Sequence, residues 1–261
     1  TGRDVADFRE GDLVVSYGPI RETQIVKAKG NYRLRKINDI LYAPNAMCYD
    51  PAQFALGGVR DANVRPGDAV AVSGLGAIGL VAVKLCRAAG ARPVFGFDPL
   101  PGRRALAISW GADAVFNPLE ADVGLELKKH TDRRGVDAVI ETSASPLALQ
   151  AALKGLGYGG TIAFVGFGKE IKGGLNFGRE AHFNNVKIVF SRASSEPNPE
   201  YPRWSRRRIE DTVWRMLMSG ELECADMITP IVPFSESAEA YMKYVDREPD
   251  KSVKMGVKFN V

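Results

Sequence analysis

Residues 74–79, Gly-Leu-Gly-Ala-Ile-Gly, carry three glycines at the spacing G-x-G-x-x-G between an apolar run and a stretch with helical periodicity. In a strand-turn-helix unit that takes a pyrophosphate, each glycine has its own task. The first permits a sharp turn, the second lets backbone approach the phosphates, and the third lets helix and strand pack closely. The helix start adds unpaired N–H groups and a partial positive charge. Asp98 stands nineteen residues after Gly79, at the end of the next apolar run. A carboxylate there can accept hydrogen bonds from both hydroxyls of an adenosine ribose. A methyltransferase would also place glycines and an acid at its first two strand ends, but the full glycine fingerprint fits a dinucleotide better.

Such a cradle works only if flanking elements hold it, and the sequence supplies them in alternation. Residues 68–73 (DAVAVS) read as a strand. Ile78, Val81, Ala82, Leu85 and Ala89 then fall at helical spacing up to Gly90, which can stop a helix with positive φ. Residues 92–98 are a second strand, and RRALAISWGAD (103–113) a second helix ending at Gly111. A further strand spans 135–142, followed by Ser145 as N-cap and Pro146 at the first helical position, where its missing N–H costs nothing. Residues 160–167 repeat the strand theme. Alternation sustained in this way specifies an α/β fold, a doubly wound parallel sheet of the Rossmann type covered by helices.

The flanks differ in character. Residues 1–50 read as β-rich irregular structure, with short strands in GDLVVSYG (11–18) and ETQIVKA (22–28). Beyond 199, Ser205 can cap a helix whose buried stripe is Ile209, Val213, Met216 and Leu217 and which ends at Gly220. Residues 252–259 (SVKMGVKF) alternate like a strand, and 193–202 (ASSEPNPEYP) are the most linker-like stretch.

Composition narrows the classes. The chain has 261 residues, 45% of them hydrophobic, enough for a sizeable core. Its 35 basic and 31 acidic residues leave a charge of +4, too mild to require nucleic acid and compatible with an anionic cofactor. No apolar run is long enough to span a bilayer, and TGRDVADFRE lacks a signal-peptide core, so no membrane association is expected. Cys48, Cys86 and Cys224 are widely spaced without a C-x-x-C pair, which speaks against a disulfide framework and for a reducing, cytoplasmic setting. His182 has no acid or serine partner at motif spacing, His130 reads as exposed on a charged helix end, and Tyr17 and Tyr49 could line a cleft. The cluster RWSRRR (203–208) opens a helix and reads as a solvated face or an oligomer contact.

Seven phrases in order resemble the medium-chain dehydrogenase/reductase superfamily, the zinc-type alcohol and polyol dehydrogenases and their zinc-free relatives. FREGDLVV (8–15) is similar to a phrase of the family's GroES-like catalytic domain, and VRPGDAVAVSGLGAIGLVAVKLCRAAGA (64–91) to its entry into the coenzyme domain. WGADAVFNP (110–118), GVDAVIETSAS (135–145) and GGTIAFVGF (159–167) follow in the expected order. DMITPIVPFSESAEAYMKY (226–244) and KSVKMGVKF (251–259) resemble the returning catalytic-domain segment and its last strand.

The resemblance implies an NAD-dependent oxidoreductase that interconverts an alcohol, polyol or sugar hydroxyl and its carbonyl. Within enzymes the alternative is a zinc-free quinone or alkene reductase, and outside them a catalytically silent nucleotide-binding or scaffolding protein. Gly74, Gly76, Ala77, Ile78 and Gly79 would hold the pyrophosphate, with Asp98 and Arg103 at the adenosine ribose. Thr142, Ser143, Val165, Gly166 and Phe167 would border the nicotinamide half, and Lys254 matches a basic residue that relatives set on the pyrophosphate. The family's upstream Cys and Gly-His-Glu phrases are not matched, and no cysteine follows GDLVV where a structural-zinc lobe would lie. For a catalytic zinc the matching ligand is Asp50, with Cys48 nearby; the catalytic residues themselves are not assigned. The expected divisions are a partial GroES-like domain (1–50), an NAD-binding Rossmann domain (51–183) and the returning segment (184–261). A small-molecule substrate and a homo-oligomer complete the expectation.

Overall fold

The computed structural model describes residues 2–168, 170–192 and 200–259. In chain order the elements are β1 (Val14–Val15), β2 (Arg35–Lys36), α1 (Ala43–Ala46), α2 (Tyr49–Asp61), β3 (Val70–Ser73), α3 (Ala77–Ala88), β4 (Val94–Phe97) and α4 (Pro101–Ser109). There follow β5 (Ala114–Phe116), α5 (Val123–Lys129), β6 (Val136–Glu141), α6 (Pro146–Gly155), β7 (Leu156–Phe164), α7 (Glu180–Phe183) and β8 (Lys187–Phe190). The last are α8 (Arg206–Met218), β9 (Ile228–Pro233), α9 (Ser237–Tyr241) and β10 (Lys254–Lys258).

Strands β3 to β8 form one parallel sheet in the order β5-β4-β3-β6-β7-β8. The order reverses beside β3, and in such sheets ligands enter at the carboxyl ends of the strands flanking that reversal. Strands β3 and β4 are buried along their whole length, because helices cover both faces. Period-two alternation divides the core accordingly. Val70 and Val72 face one cluster with Leu80, Val83, Val59 and Leu217 of α3, α2 and α8. Ala69 and Ala71 face the other, with Leu127 of α5 and Leu149 and Leu153 of α6. The helix caps are those expected: the Ser145 hydroxyl accepts from Ala148 N–H and the Ser205 hydroxyl from Arg208 N–H.

Several expectations require correction. Residues 2–50 are not β-rich: β1 and β2 pair over two residues only, and 22–28 forms no strand. No neighbouring strand offers that segment a ladder; Gln24 instead donates to the Ser16 hydroxyl, and Ile25 is fully exposed. The expected divisions at 50/51 and 183/184 fall within α2 and ahead of β8. The first would cut α2, which packs on α3 and α8, and the second would separate β8 from the sheet it completes. Strand β7 begins at Leu156, four residues before the expected start, as β6 pairs with it from Val136 onward. Of the linker-like 193–202, residues 193–199 lie outside the described residues. Strands β9 and β10 pair with each other in parallel as a separate two-stranded sheet. Among the described residues no helix is long and apolar enough to cross a membrane.

Candidate functional site

The glycine turn leaves β3 with Gly74 at φ +80°, a conformation that disfavours side chains. A Cβ at Gly79 would lie 1.8 Å from the Gly74 carbonyl oxygen, so the third glycine lets α3 seat against the turn. Gly76 is the N-cap of α3, and a Cβ there would meet nothing nearer than Arg103 Nη1 at 3.8 Å. The first turn of a twelve-residue helix therefore opens onto free space at the point where an anion would sit.

That space is a cavity of about 800 Å³ lined by Gly74, Gly76, Ala77, Ile78, Asp98 and Arg103 on one side and by Thr142, Ser143 and Leu147 on the other. Asp98 is buried, at 6% exposure. Its Oδ2 accepts from Leu75 N–H and its Oδ1 from Leu100 N–H, both at 2.8 Å. The carboxylate thus cross-links the glycine turn to the end of β4 and keeps further lone pairs for a ligand. Arg103 Nη1 stands 4.0 Å from Asp98 Oδ2, and its Nε is buried without a partner among the described residues. Arg104 turns to the Asp98 and Pro99 carbonyls instead.

A second cavity of about 830 Å³ shares Ile78 and Thr142 with the first and is lined further by Phe54, Val165, Gly166, Phe167, Ser191 and Arg192. The Thr142 hydroxyl lies within hydrogen-bonding reach of the Ser73 and Gly74 carbonyls, at 2.9 and 2.8 Å. The two chambers together form an elongated crevice across the strand ends, as a dinucleotide requires. Of the expected cofactor residues, all but two line it. Gly79 acts from beneath, through packing. Lys254 lies in β10 and lines neither cavity.

Two buried carboxylates were not anticipated. Glu141 ends β6 with no exposure, and burial pushes its carboxyl above the usual range while hydrogen bonds from Ser143, Ala144 and Ser73 pull the other way. Glu210, also fully buried, accepts from Arg33 Nη2 at 2.6 Å, Arg206 Nε at 2.9 Å and the Tyr49 hydroxyl at 2.9 Å. The signal available in the sequence was a charge inside an apolar pattern: Glu141 closes VDAVIE, and Glu210 adjoins Ile209 on the stripe of α8.

The metal expectation does not find its ligands. Asp50 is exposed in the first turn of α2, and its Oδ1 accepts from the Tyr17 hydroxyl and from Gln53 Nε2, each at 2.9 Å. Cys48 is fully buried and donates its thiol to the Cys224 carbonyl at 3.4 Å, so it points into the core. Among the described residues no three His, Cys, Asp or Glu side chains gather as a metal would need. These residues do not fit a zinc ion by themselves. Tyr49 is core, 2% exposed, while Tyr17 caps Asp50. His130 rests against Phe95 and Phe116, and His182 against Phe183, away from both cavities. The basic cluster is spent internally, Arg203 on Glu200, Arg206 on Glu210 and Arg207 on Asp211.

Comparison with known proteins agrees with this geometry. The zinc-binding dehydrogenase family model matches residues 77–208. A D-guloside 3-dehydrogenase of Escherichia coli is 57% identical over 258 residues, covering 99% of this chain and 74% of that protein. An L-threonine 3-dehydrogenase of Pyrococcus furiosus is 34% identical over 163 residues, 62% of this chain and 44% of that protein. The fold is shared with an alcohol dehydrogenase from a Thermus species, at a TM-score of 0.73 and 24% identity over 88% of this chain. It is shared as well with the 2R,3R-butanediol dehydrogenase of Bacillus subtilis, at 0.72 and 23% over 87%. The chain spans 64% and 61% of the length of those two structures. With a family model across half its length and a relative of this identity along nearly all of it, the chain belongs to the zinc-binding dehydrogenases of the medium-chain dehydrogenase/reductase superfamily, a family of alcohol and polyol oxidoreductases.

Proposed function

We propose that the crevice holds NAD(H) and that the chain serves an oxidoreductase interconverting a hydroxyl and a carbonyl on a polyol, sugar or other alcohol. The observation that carries this is the buried Asp98 carboxylate beside the open first turn of α3, which together offer acceptors to a ribose and N–H donors to a pyrophosphate. The bound nicotinamide would supply the hydride chemistry. The chain's own groups bind and orient it. Gly76 admits the phosphates, Asp98 and Arg103 bracket the ribose, and Thr142 with Val165, Gly166 and Phe167 walls the reactive half. The D-guloside 3-dehydrogenase relative supports a sugar-like alcohol as the substrate class. Strand β8 is an edge of the sheet with Phe190 79% exposed, which supports a homo-oligomer, to be checked by sedimentation.

Asp98 also sets the cofactor choice. A 2′-phosphate would meet its negative charge and forfeit a ribose hydrogen bond, so NADH is expected to bind at least about tenfold more tightly than NADPH, or ~1.4 kcal/mol. Fluorescence titration with both reduced cofactors tests this, and Asp98→Asn should bring the ratio towards parity. The ratio is insensitive to general damage because both ligands share the fold. Equal affinities in the unaltered protein, or an unchanged ratio in Asp98→Asn, would count against the assignment.

A further inference from the structure

We infer that Glu141 is a positioning residue for the reactive half of the cofactor, setting the two lips of the crevice through Ser143 and Ala144 on one side and Gly166 on the other. The inference rests on the NAD(H) reading above. Glu141 lines neither cavity, so its action passes through neighbours. Its Oε1 accepts from the Ser73 hydroxyl at 3.1 Å, from Ser143 N–H at 2.9 Å and from the Ser143 hydroxyl. Its Oε2 accepts from Ala144 N–H at 3.1 Å. Among the described residues no cationic side chain forms an ion pair with it.

A fully buried carboxylate satisfied only by neutral donors is a costly way to end a strand, because an apolar side chain of similar volume avoids the desolvation. What it supplies is geometry. Ala144 is held at φ +55°, a left-handed conformation that a residue with a Cβ adopts only under constraint. Ala144 N lies 2.8 Å from where a Cβ on Gly166 would be, so the loop after β6 and the loop after β7 meet with no room to spare. The same residue fixes the second loop as well, since the Glu141 carbonyl accepts from Val165 N–H at 2.8 Å and Gly166 N–H at 3.0 Å. Its carboxylate therefore holds one lip and its carbonyl the other. The adenosine side is fastened separately, by Leu75 and Leu100 on Asp98.

That separation provides the test. Glu141→Gln must point an NH2 group at Ser143 N–H or at Ala144 N–H, donor against donor, and so releases the lip. The full chain is titrated with NADH by fluorescence and with 5′-AMP by calorimetry, with thermal unfolding followed alongside. NADH affinity is expected to fall about tenfold or more and 5′-AMP affinity to change less than about twofold, the loss of one charge-assisted hydrogen bond at the lip. Ser73→Ala removes a donor to Glu141 outside the cavities and should give the same split at roughly threefold; it decides the matter if Glu141→Gln does not fold. Equal losses for both ligands, in step with a lower melting point, would make the role merely structural and overturn the inference. So would unchanged NADH affinity. Failure of the unaltered chain to bind NADH would strike the cofactor reading first, and is distinguishable because no variant is involved.

Discussion

The strand ends from Ser73 to Val165 reach the crevice through five parallel ladders, each strand fixed along its length by its neighbours. Residues 2–48 offer one two-residue strand pair and are fastened by side chains: Arg33 on Glu210, Arg35 on Asp211 and on the Tyr49 hydroxyl, and Asn45 on backbone near Leu217 and Leu222. Main-chain ladders distribute positional control over many weak bonds, so any one of them is dispensable. Side-chain fastening concentrates it in a few groups, each of which carries a large share. The residues proposed to hold a cofactor, Lys254 apart, belong to the first regime. Asp50, the one candidate metal ligand, sits at the border of the second, with Tyr17 of the amino-terminal region against it.

The sharpest way to break this contrast is Glu210→Ala. Removing the carboxylate shared by Arg33, Arg206 and Tyr49 strips a buried cluster of the anion they share and should cost about 3–5 kcal/mol in urea unfolding. Limited trypsin digestion should then cut first at Lys27, Lys29 and Arg33, while NADH still binds. Wild-type stability in this variant would show that the amino-terminal region is held by something else. Gly79→Ala attacks the ladder regime at a point without slack, since the new Cβ would press on the Gly74 carbonyl. A destabilisation of about 1–3 kcal/mol is expected, together with loss of NADH binding, because the turn itself must move. If NADH affinity survived, the cradle would lie elsewhere. The mildest test is Ser205→Ala, which deletes the cap of α8 and should cost about 1 kcal/mol without altering NADH affinity. Any change in affinity would mean that α8 communicates with the crevice.

The same contrast explains how much was legible in the residues. The glycine turn, the position of Asp98 at a strand end and the helix caps were readable because each depends on neighbours within a few positions and on strand-helix alternation, both local properties. Glu141 and Glu210 were not, since a carboxylate in an apolar pattern gains its meaning from donors far away in sequence. Ser73 lies 68 residues from Glu141, and Arg33 lies 177 from Glu210. Residues 22–28 misled for the complementary reason: alternation describes a strand's face but not its partner, and none is present. Lys254 was placed by likeness to relatives alone, and β10 carries it outside both cavities.

The 177-residue span between Arg33 and Glu210 also sets a clock. At typical synthesis rates of about 5–20 residues per second, Glu210 leaves the ribosome roughly 10–35 s after Arg33. Throughout that interval the face of α2 that packs on α8 has nothing to cover it, and Arg33 has no anion to meet. The sheet can close in sequence order as each strand appears, but residues 2–48 must wait for α8. Its docking follows the appearance of α8 on the nascent polypeptide, and slow translation of the span between Arg33 and Glu210 would lengthen the exposure.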